Sequence, residues 1–93
     1  NNLTMPVDYE LFQNYPNPFN PTTKISFSLP ASGRVSLKVY DILGRLSAEL
    51  VNDYRTSGTY TVEFNAGNLS SGIYFYKLEA NGRNIVRKMV VLK

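Results

Sequence analysis

The chain has 93 residues, of which 43% are hydrophobic and 18% charged, a composition typical of one small folded domain and too apolar for a disordered tail. It contains no histidine and no cysteine, which excludes Ser-His-Asp catalysis, cysteine nucleophiles, disulfides and the usual zinc sites. The net charge is only +3 and the basic residues are scattered, which argues against nucleic-acid binding.

Other functional classes lack their sequence signals. No run of about 18 apolar residues is present, so no membrane span is predicted, and the first residues lack the regions of a signal peptide. No glycine-rich phosphate loop precedes a helix, so we expect no cofactor. A calcium ion held by loop carboxylates, Asp8 with Glu10 or Asp53, stays open, although no spacing resembles a calcium loop.

A proline-rich segment precedes the first long strand pattern. Three prolines and two aromatic residues, Tyr15 and Phe19, lie between Tyr15 and Thr23. Each proline fixes its own φ and biases the preceding residue toward an extended conformation, so the segment is stiff without hydrogen bonds. We expect Tyr15 and Phe19 to hold this rod against a hydrophobic face of the domain. A peptide ligand for an aromatic groove is the alternative.

Alternating apolar and polar residues predict strands along most of the remaining chain. The predicted strands are 23–29, 34–40, 45–51, 59–64, 73–80 and 83–92. Asp41 to Gly44 has the residues of a tight turn, and Asn81-Gly82 is a strong hairpin signal. A polar loop is predicted at 52–58, and the connection 65–72 is long enough to cross between sheets.

This pattern predicts an all-β fold, an immunoglobulin-like antiparallel β-sandwich of about six to eight short strands, with a small open barrel as the alternative. The residues expected to face inward are Ile25, Phe27, Leu29, Val35, Leu37, Val39, Leu50, Tyr60, Val62, Phe64, Ile73, Phe75 and Met89. The last strand is apolar on both faces near its end. It is either buried between two surfaces or an open edge whose apolar tip contacts another protein.

Five blocks of sequence, in a fixed order, resemble a known family. They are 11–23 (LFQNYPNPFNPTT), 25–27, 39–45, 71–76 and 88–93. Together they resemble the type A C-terminal sorting domain of the type IX secretion system. A related immunoglobulin-like module occurs in the flagellar hook-capping protein.

The resemblance implies a non-catalytic module at 11–93, behind a flexible linker at 1–10 that joins it to an upstream cargo domain. In this family the module directs a larger secreted protein from the periplasm across the outer membrane of Bacteroidetes and related bacteria, so the location implied is secreted or cell-surface. The partners implied are the type IX translocon and a sortase-like surface peptidase, which cuts within the linker and leaves the cargo anchored or released.

Carried over by position, the resemblance also implies a recognition set. Its members are Gly72, Tyr74, Lys88, Met89, Val90, Val91, Leu92 and Lys93. The lead-in motif, whose role can be structural alone, comprises Tyr15, Asn17, Pro18 and Phe19. The domain is expected to be a monomer, and removal of residues 91–93 is expected to impair export more than folding.

Two non-catalytic alternatives remain. One is a structural immunoglobulin-like spacer, or a hook-assembly module. The other is a carbohydrate-binding module, for which Tyr40, Tyr74 and Tyr76 would have to lie together on one sheet face. Such tyrosines are more commonly cross-strand packing pairs.

Overall fold

The computed structural model describes residues 6–93, and within this range the chain forms strands and no helix. The seven strands are β1 (Glu10–Leu11), β2 (Thr22–Leu29), β3 (Gly33–Tyr40), β4 (Leu46–Arg55), β5 (Gly58–Asn65), β6 (Gly72–Ala80) and β7 (Arg83–Val91).

The strands form two antiparallel sheets. The three-stranded sheet has the order β1-β2-β5 and the four-stranded sheet has the order β4-β3-β6-β7. The connection between β5 and β6 crosses from one sheet to the other, as predicted from its length. The immunoglobulin-like antiparallel sandwich predicted from the sequence is therefore confirmed.

The hydrophobic core lies between the two sheets. The predicted inward residues of β2 and β3 are buried, as are Phe64 and Met89, whereas Leu50, Tyr60 and Val62 pack against the core while partly exposed. Phe27 is fully buried and stacks on Tyr60 with 5.5 Å between the ring centroids. Burial of one such large side chain stabilises the fold by about 1.5–3 kcal/mol.

The predicted orientation of β6 is wrong by one residue. Ile73 is 42% exposed and Phe75 is half-buried on the outer face, while the inward residues are Tyr74, Tyr76, Leu78 and Ala80. Both sets of alternate residues are largely apolar, so alternation alone does not orient this strand. Lys77 and Glu79 share the parity of Ile73 and Phe75, and this is the signal that identifies the solvent-facing set.

The predicted loop at 52–58 is also wrong, because β4 continues to Arg55 and only residues 56–57 separate it from β5. β4 is an edge strand. Its residues beyond Val51 are little buried, so they are polar although they pair with β3. The pairing with β3 also has two register shifts, between Leu37 and Lys38 and between Val39 and Tyr40, and such irregularities are common at sheet edges.

The two predicted tight turns are present. The carboxylate of Asp41 accepts hydrogen bonds from the backbone N–H groups of Leu43 and Arg45, both at 2.9 Å, and Gly44 has a φ of 82°. These hydrogen bonds, foremost that from the Arg45 N–H, lower the pKa of Asp41. At the β6–β7 hairpin, Asn81 and Gly82 have φ values of 49° and 81°, the left-handed region that this turn requires.

Candidate recognition site

The lead-in, defined here as residues 12–21, first pairs with the three-stranded sheet. The N–H of Phe12 donates to the carbonyl of Ser26 at 2.9 Å. Tyr15 and Lys24 exchange two backbone hydrogen bonds, each of 3.0 Å. The chain thus enters the domain as a short irregular extension of that sheet.

The lead-in then crosses to the edge of β7 in the other sheet. The N–H of Phe19 donates to the carbonyl of Val90 at 3.1 Å, and the N–H of Leu92 donates to the carbonyl of Phe19 at 3.0 Å. The Asn17 side-chain oxygen accepts from the N–H of Val90 at 3.0 Å, and the Gln13 amide donates to the carbonyl of Lys88 at 2.8 Å. Of the two alternatives for the last strand, the structure thus favours burial, because the lead-in covers its edge between residues 88 and 92.

The two aromatic rings of the lead-in motif behave differently. Phe19 is 3% exposed and packs edge-to-face against Phe64, with 6.1 Å between the ring centroids, as expected. Tyr15 is 81% exposed, so the expectation that its ring holds the segment against a hydrophobic face is wrong. The backbone of Tyr15 makes the attachment instead, through its pairing with Lys24.

A buried hydroxyl fixes the start of the lead-in. Tyr76 is fully buried, and its hydroxyl donates to the carbonyl of Phe12 at 2.7 Å and accepts from the N–H of Asn14 at 2.8 Å. The Asn14 amide in turn donates to the Thr23 hydroxyl at 3.0 Å. Burial raises the pKa of Tyr76, against the opposing effects of the Asn14 hydrogen bond and the Arg87 charge. The network connects a strand of one sheet to the other through the lead-in.

The structure divides the predicted recognition set between the interior and the surface. Tyr74, Met89 and Val91 face the core, with exposures of 8%, 0% and 0%. The accessible members are Gly72, Lys88, Leu92 and Lys93, with Val90 half-buried. Of the predicted set, only this second group is accessible on the folded domain, and the first group packs beneath it in the core.

The final residues are more firmly attached than a frayed end. Val91 pairs with Gly72 and is fully buried. The backbone N–H of Lys93 donates to the Ser71 hydroxyl at 2.9 Å, and its ammonium group donates to the carbonyl of Gly67 at 2.6 Å. Deletion of residues 91–93 would remove a core side chain, so it does not separate recognition from folding as the sequence suggested.

The three tyrosines of the carbohydrate-binding alternative do not form a platform. Tyr74 and Tyr76 point into the core, whereas Tyr40 lies half-buried on the opposite, outer face of the four-stranded sheet. The hydroxyl of Tyr74 donates to the carbonyl of Ser70 at 2.9 Å, which satisfies its polar group within the domain. The condition for the carbohydrate-binding alternative is therefore not met, and no observation favours it.

Two of the three acidic residues considered for a cation form ion pairs with arginine. Asp8 lies 3.3 Å from the Arg83 guanidinium, and Asp53 lies 2.9 Å from that of Arg55. Over residues 6–93 no group of three or more acidic side chains gathers at a site suited to a metal ion. The same range holds no helix of the length and apolarity needed to cross a membrane.

The predicted linker, 1–10, falls partly outside the described residues. Of its described part, Val7 is 96% exposed. Tyr9 contacts the β6–β7 turn, where its hydroxyl accepts from the Asn81 amide at 2.7 Å and the Arg83 guanidinium lies 5.3 Å from its ring centroid. Tyr9 and Glu10 are thus in contact with the folded unit, and the boundary between linker and domain stays a prediction.

One surface feature was not found from the sequence. Several large apolar residues lie on the outer face of the four-stranded sheet, near the turn between β3 and β4. Some of them line a shallow concavity of about 420 Å³, which is formed by Tyr40, Ile42, Phe75 and Val86 together with Asp41, Gly44 and Lys77. The correct parity of β6 would have revealed it, because Ile73 and Phe75 then face solvent.

Comparison with known protein families matches residues 13–92 to the family described as "Secretion system C-terminal sorting domain". Comparisons with curated proteins and with solved structures give no match. The matched range begins in the lead-in and ends one residue beyond β7, so it includes both segments that close the sandwich. A domain of this kind marks a protein for export, to the cell surface or the medium. The chain belongs to the C-terminal sorting domain family of the type IX secretion system.

Proposed function

We propose that this chain is a non-catalytic module that the type IX translocon recognises in its folded form, and that it carries a larger cargo protein across the outer membrane. The observation that carries the proposal is the family match over residues 13–92. The hydrogen bonds between Phe19 and β7 support recognition of a folded unit, because they bring the two ends of the matched range together. We also propose that the module acts as a monomer.

A surface peptidase of the sortase-like class then cuts between the cargo and the module. A protease needs an extended, unpaired backbone, and from Asp8 onward the chain contacts the folded domain through Arg83, Asn81 and β2. The cut therefore falls on the N-terminal side of Asp8. The cargo is afterwards anchored to the surface or released.

The test is an export assay. All 93 residues are fused behind a signal peptide and a fluorescent protein, and the fusion is expressed in a bacterium with an active type IX system. We expect fluorescence outside the cell or on its surface, and none there for the same fusion lacking the 93 residues. Retention in the periplasm, while a native cargo of the same cells is exported, would contradict the proposal.

The cut site is tested on the same material. Mass spectrometry of the processed fragments should place the new terminus before Asp8. A terminus within the sandwich would contradict this part of the proposal. Sedimentation velocity of the purified chain tests the monomeric state.

A further inference from the structure

The outer face of the four-stranded sheet has an apolar half and a polar half. Each half contains one row of four side chains that lie side by side across the strands. The row in the apolar half is Leu46, Tyr40, Phe75 and Lys88, and the row in the polar half is Asn52, Ser36, Glu79 and Asn84. Since both rows belong to the same strands, strand formation does not account for the difference.

The apolar half is a contiguous surface, which we call the apolar patch: Tyr40, Ile42, Ile73, Phe75, Val86 and Val90. Ile42 is 68% exposed, Val86 55% and Ile73 42%, so these side chains contribute little to the core. Apolar groups that are gathered rather than scattered mark an interaction surface more often than chance exposure.

A single uncompensated cation lies within this patch. Lys88 pairs across the sheet with Phe75, and its neighbours on the same face of β7 are Val86 and Val90. The other two lysines of this face have carboxylate partners, Lys38 with Glu49 at 4.0 Å and Lys77 with Glu79 at 3.3 Å. None of the ion pairs formed within residues 6–93 includes Lys88.

We propose that the apolar patch is the docking surface for a protein partner that presents apolar side chains around a carboxylate. This inference rests on the proposed function, in which the partner belongs to the export machinery. The apolar groups would supply the dry centre of the contact, and a carboxylate opposite Lys88 would fix its register and exclude basic surfaces. The net charge of +3 on the chain favours the approach of an acidic partner.

A second copy of the chain fits this surface less well. In a two-fold symmetric contact each surface meets itself, so a contact centred on Lys88 would bring two lysine ammonium groups together. Like charges opposed in an interface are unfavourable.

The test compares two charge reversals in the export fusion. Lys88→Glu lies in the patch. Arg34→Glu, its matched control, lies on the same face at an exposed position of the polar half, where Arg34 donates only to Asn52 at 3.3 Å. We expect Lys88→Glu to reduce the exported fraction about tenfold or more, because it opposes two carboxylates across the contact, while Arg34→Glu stays near wild type. Lys88→Arg, which keeps the charge, should retain export.

Two further measurements separate recognition from folding. Val86→Ser removes an exposed apolar contact without a change of charge and should also reduce export. Thermal melting of each variant should stay close to wild type. A photo-crosslinking residue placed at Val86 should give a covalent adduct during export, whereas one at Thr61, exposed on the opposite sheet, should not.

Distinct results would overturn the inference. If the wild-type fusion is exported and Lys88→Glu is exported equally well, the patch is not the docking surface although the proposed function stands. If Lys88→Glu and Arg34→Glu fail equally, the effect is general charge and not this patch. If sedimentation shows a dimer that Val86→Ser dissociates, the occupant is a second copy. Retention of the wild-type fusion would instead contradict the proposed function itself.

Discussion

The outer faces of the two sheets present different chemistry to solvent. On the three-stranded sheet, the hydroxyls of Ser26 and Thr61 lie 2.8 Å apart, and the hydroxyl of the exposed Thr59 lies 3.1 Å from that of Ser28, which is only 4% exposed. The two hydroxyls of each cross-strand pair thus hydrogen-bond to each other. On the four-stranded sheet, half of the outer face is the apolar patch, whose exposed side chains find no such partners within the domain.

The difference shows that the core residues and the outward residues of this sandwich have separate roles: the first stabilise the fold, and the second determine what each face can bind. A fully buried set of residues, common to both sheets, holds the sheets together. The outward residues are not needed for that contact. The hydroxyls of one face can therefore hydrogen-bond to each other, while the other face is complementary to a partner. Substitutions in the interior should therefore affect stability, whereas those on the outer faces should affect export.

The largest effect is expected from Phe27→Ala, which removes a core side chain shared by both sheets. Phe27 has no exposed surface, and the cavity should lower the free energy of unfolding by about 3–5 kcal/mol. Urea denaturation gives this quantity directly. A loss below about 1 kcal/mol would mean that the site collapses around the cavity and that the core is less tightly packed than described.

A smaller loss is expected from Tyr76→Phe. This change leaves the N–H of Asn14 and the carbonyl of Phe12 without their buried partner, at a cost of about 1–3 kcal/mol. Tyr54→Phe is the control, since Tyr54 is 65% exposed and its substitution should stay within about 0.5 kcal/mol. Equal urea midpoints for the two variants would show that the hydrogen bonds of Tyr76 do not contribute to stability.

Tyr76 also predicts alkaline sensitivity. Its pKa in the folded state is raised above the ordinary value of 10.0, so the unfolded chain loses this proton at lower pH than the folded chain does. The free energy of unfolding is therefore fully retained below pH 10 and declines as the pH rises through the folded-state pKa. Denaturation curves between pH 8 and pH 12 should show this decline, and Tyr76→Phe should flatten it. If the decline with pH is unchanged in Tyr76→Phe, other titrating groups cause it.

The smallest change in stability is expected from exchanging outward residues between the faces. Ile73→Thr on the four-stranded sheet and Thr61→Ile on the three-stranded sheet should each alter the free energy of unfolding by about 0.5 kcal/mol or less. Export should fall for Ile73→Thr alone. If Thr61→Ile impairs export to the same extent without unfolding the domain, the two faces are equivalent in export, which contradicts a special role for the four-stranded sheet.

Much of the fold follows from the sequence because its signals are local. The alternation in β2 and β3 and the turn residues at Asp41 and Asn81 act within a few positions of themselves, and each is present as predicted. The family resemblance likewise rested on short blocks in order, and the match to residues 13–92 confirms it.

The errors arose where distant residues decide the outcome. Tyr76 can be buried because the carbonyl of Phe12, 64 positions away, accepts from its hydroxyl, and no local pattern records that partner. The same inversion of β6 concealed the apolar patch. Tyr15 and Phe19 were expected to hold the lead-in against a hydrophobic face, whereas it is attached to β7 by hydrogen bonds. Two of these use backbone groups of Phe19, which every residue type carries, and all of them join residues far apart in the chain, so no local pattern records them.

The connection between the lead-in and β7 also has a kinetic consequence. The Asn17 side chain and the backbone of Val90 are 73 positions apart, and the Gln13 side chain bonds a carbonyl 75 positions away. Domains rich in such distant contacts fold slowly, because loops must close before the contacts form. A ribosome makes residue 90 long after residue 17, so a nascent or truncated module remains open at this edge. Completion of the sandwich thus reports that the module has been synthesised to its last strand.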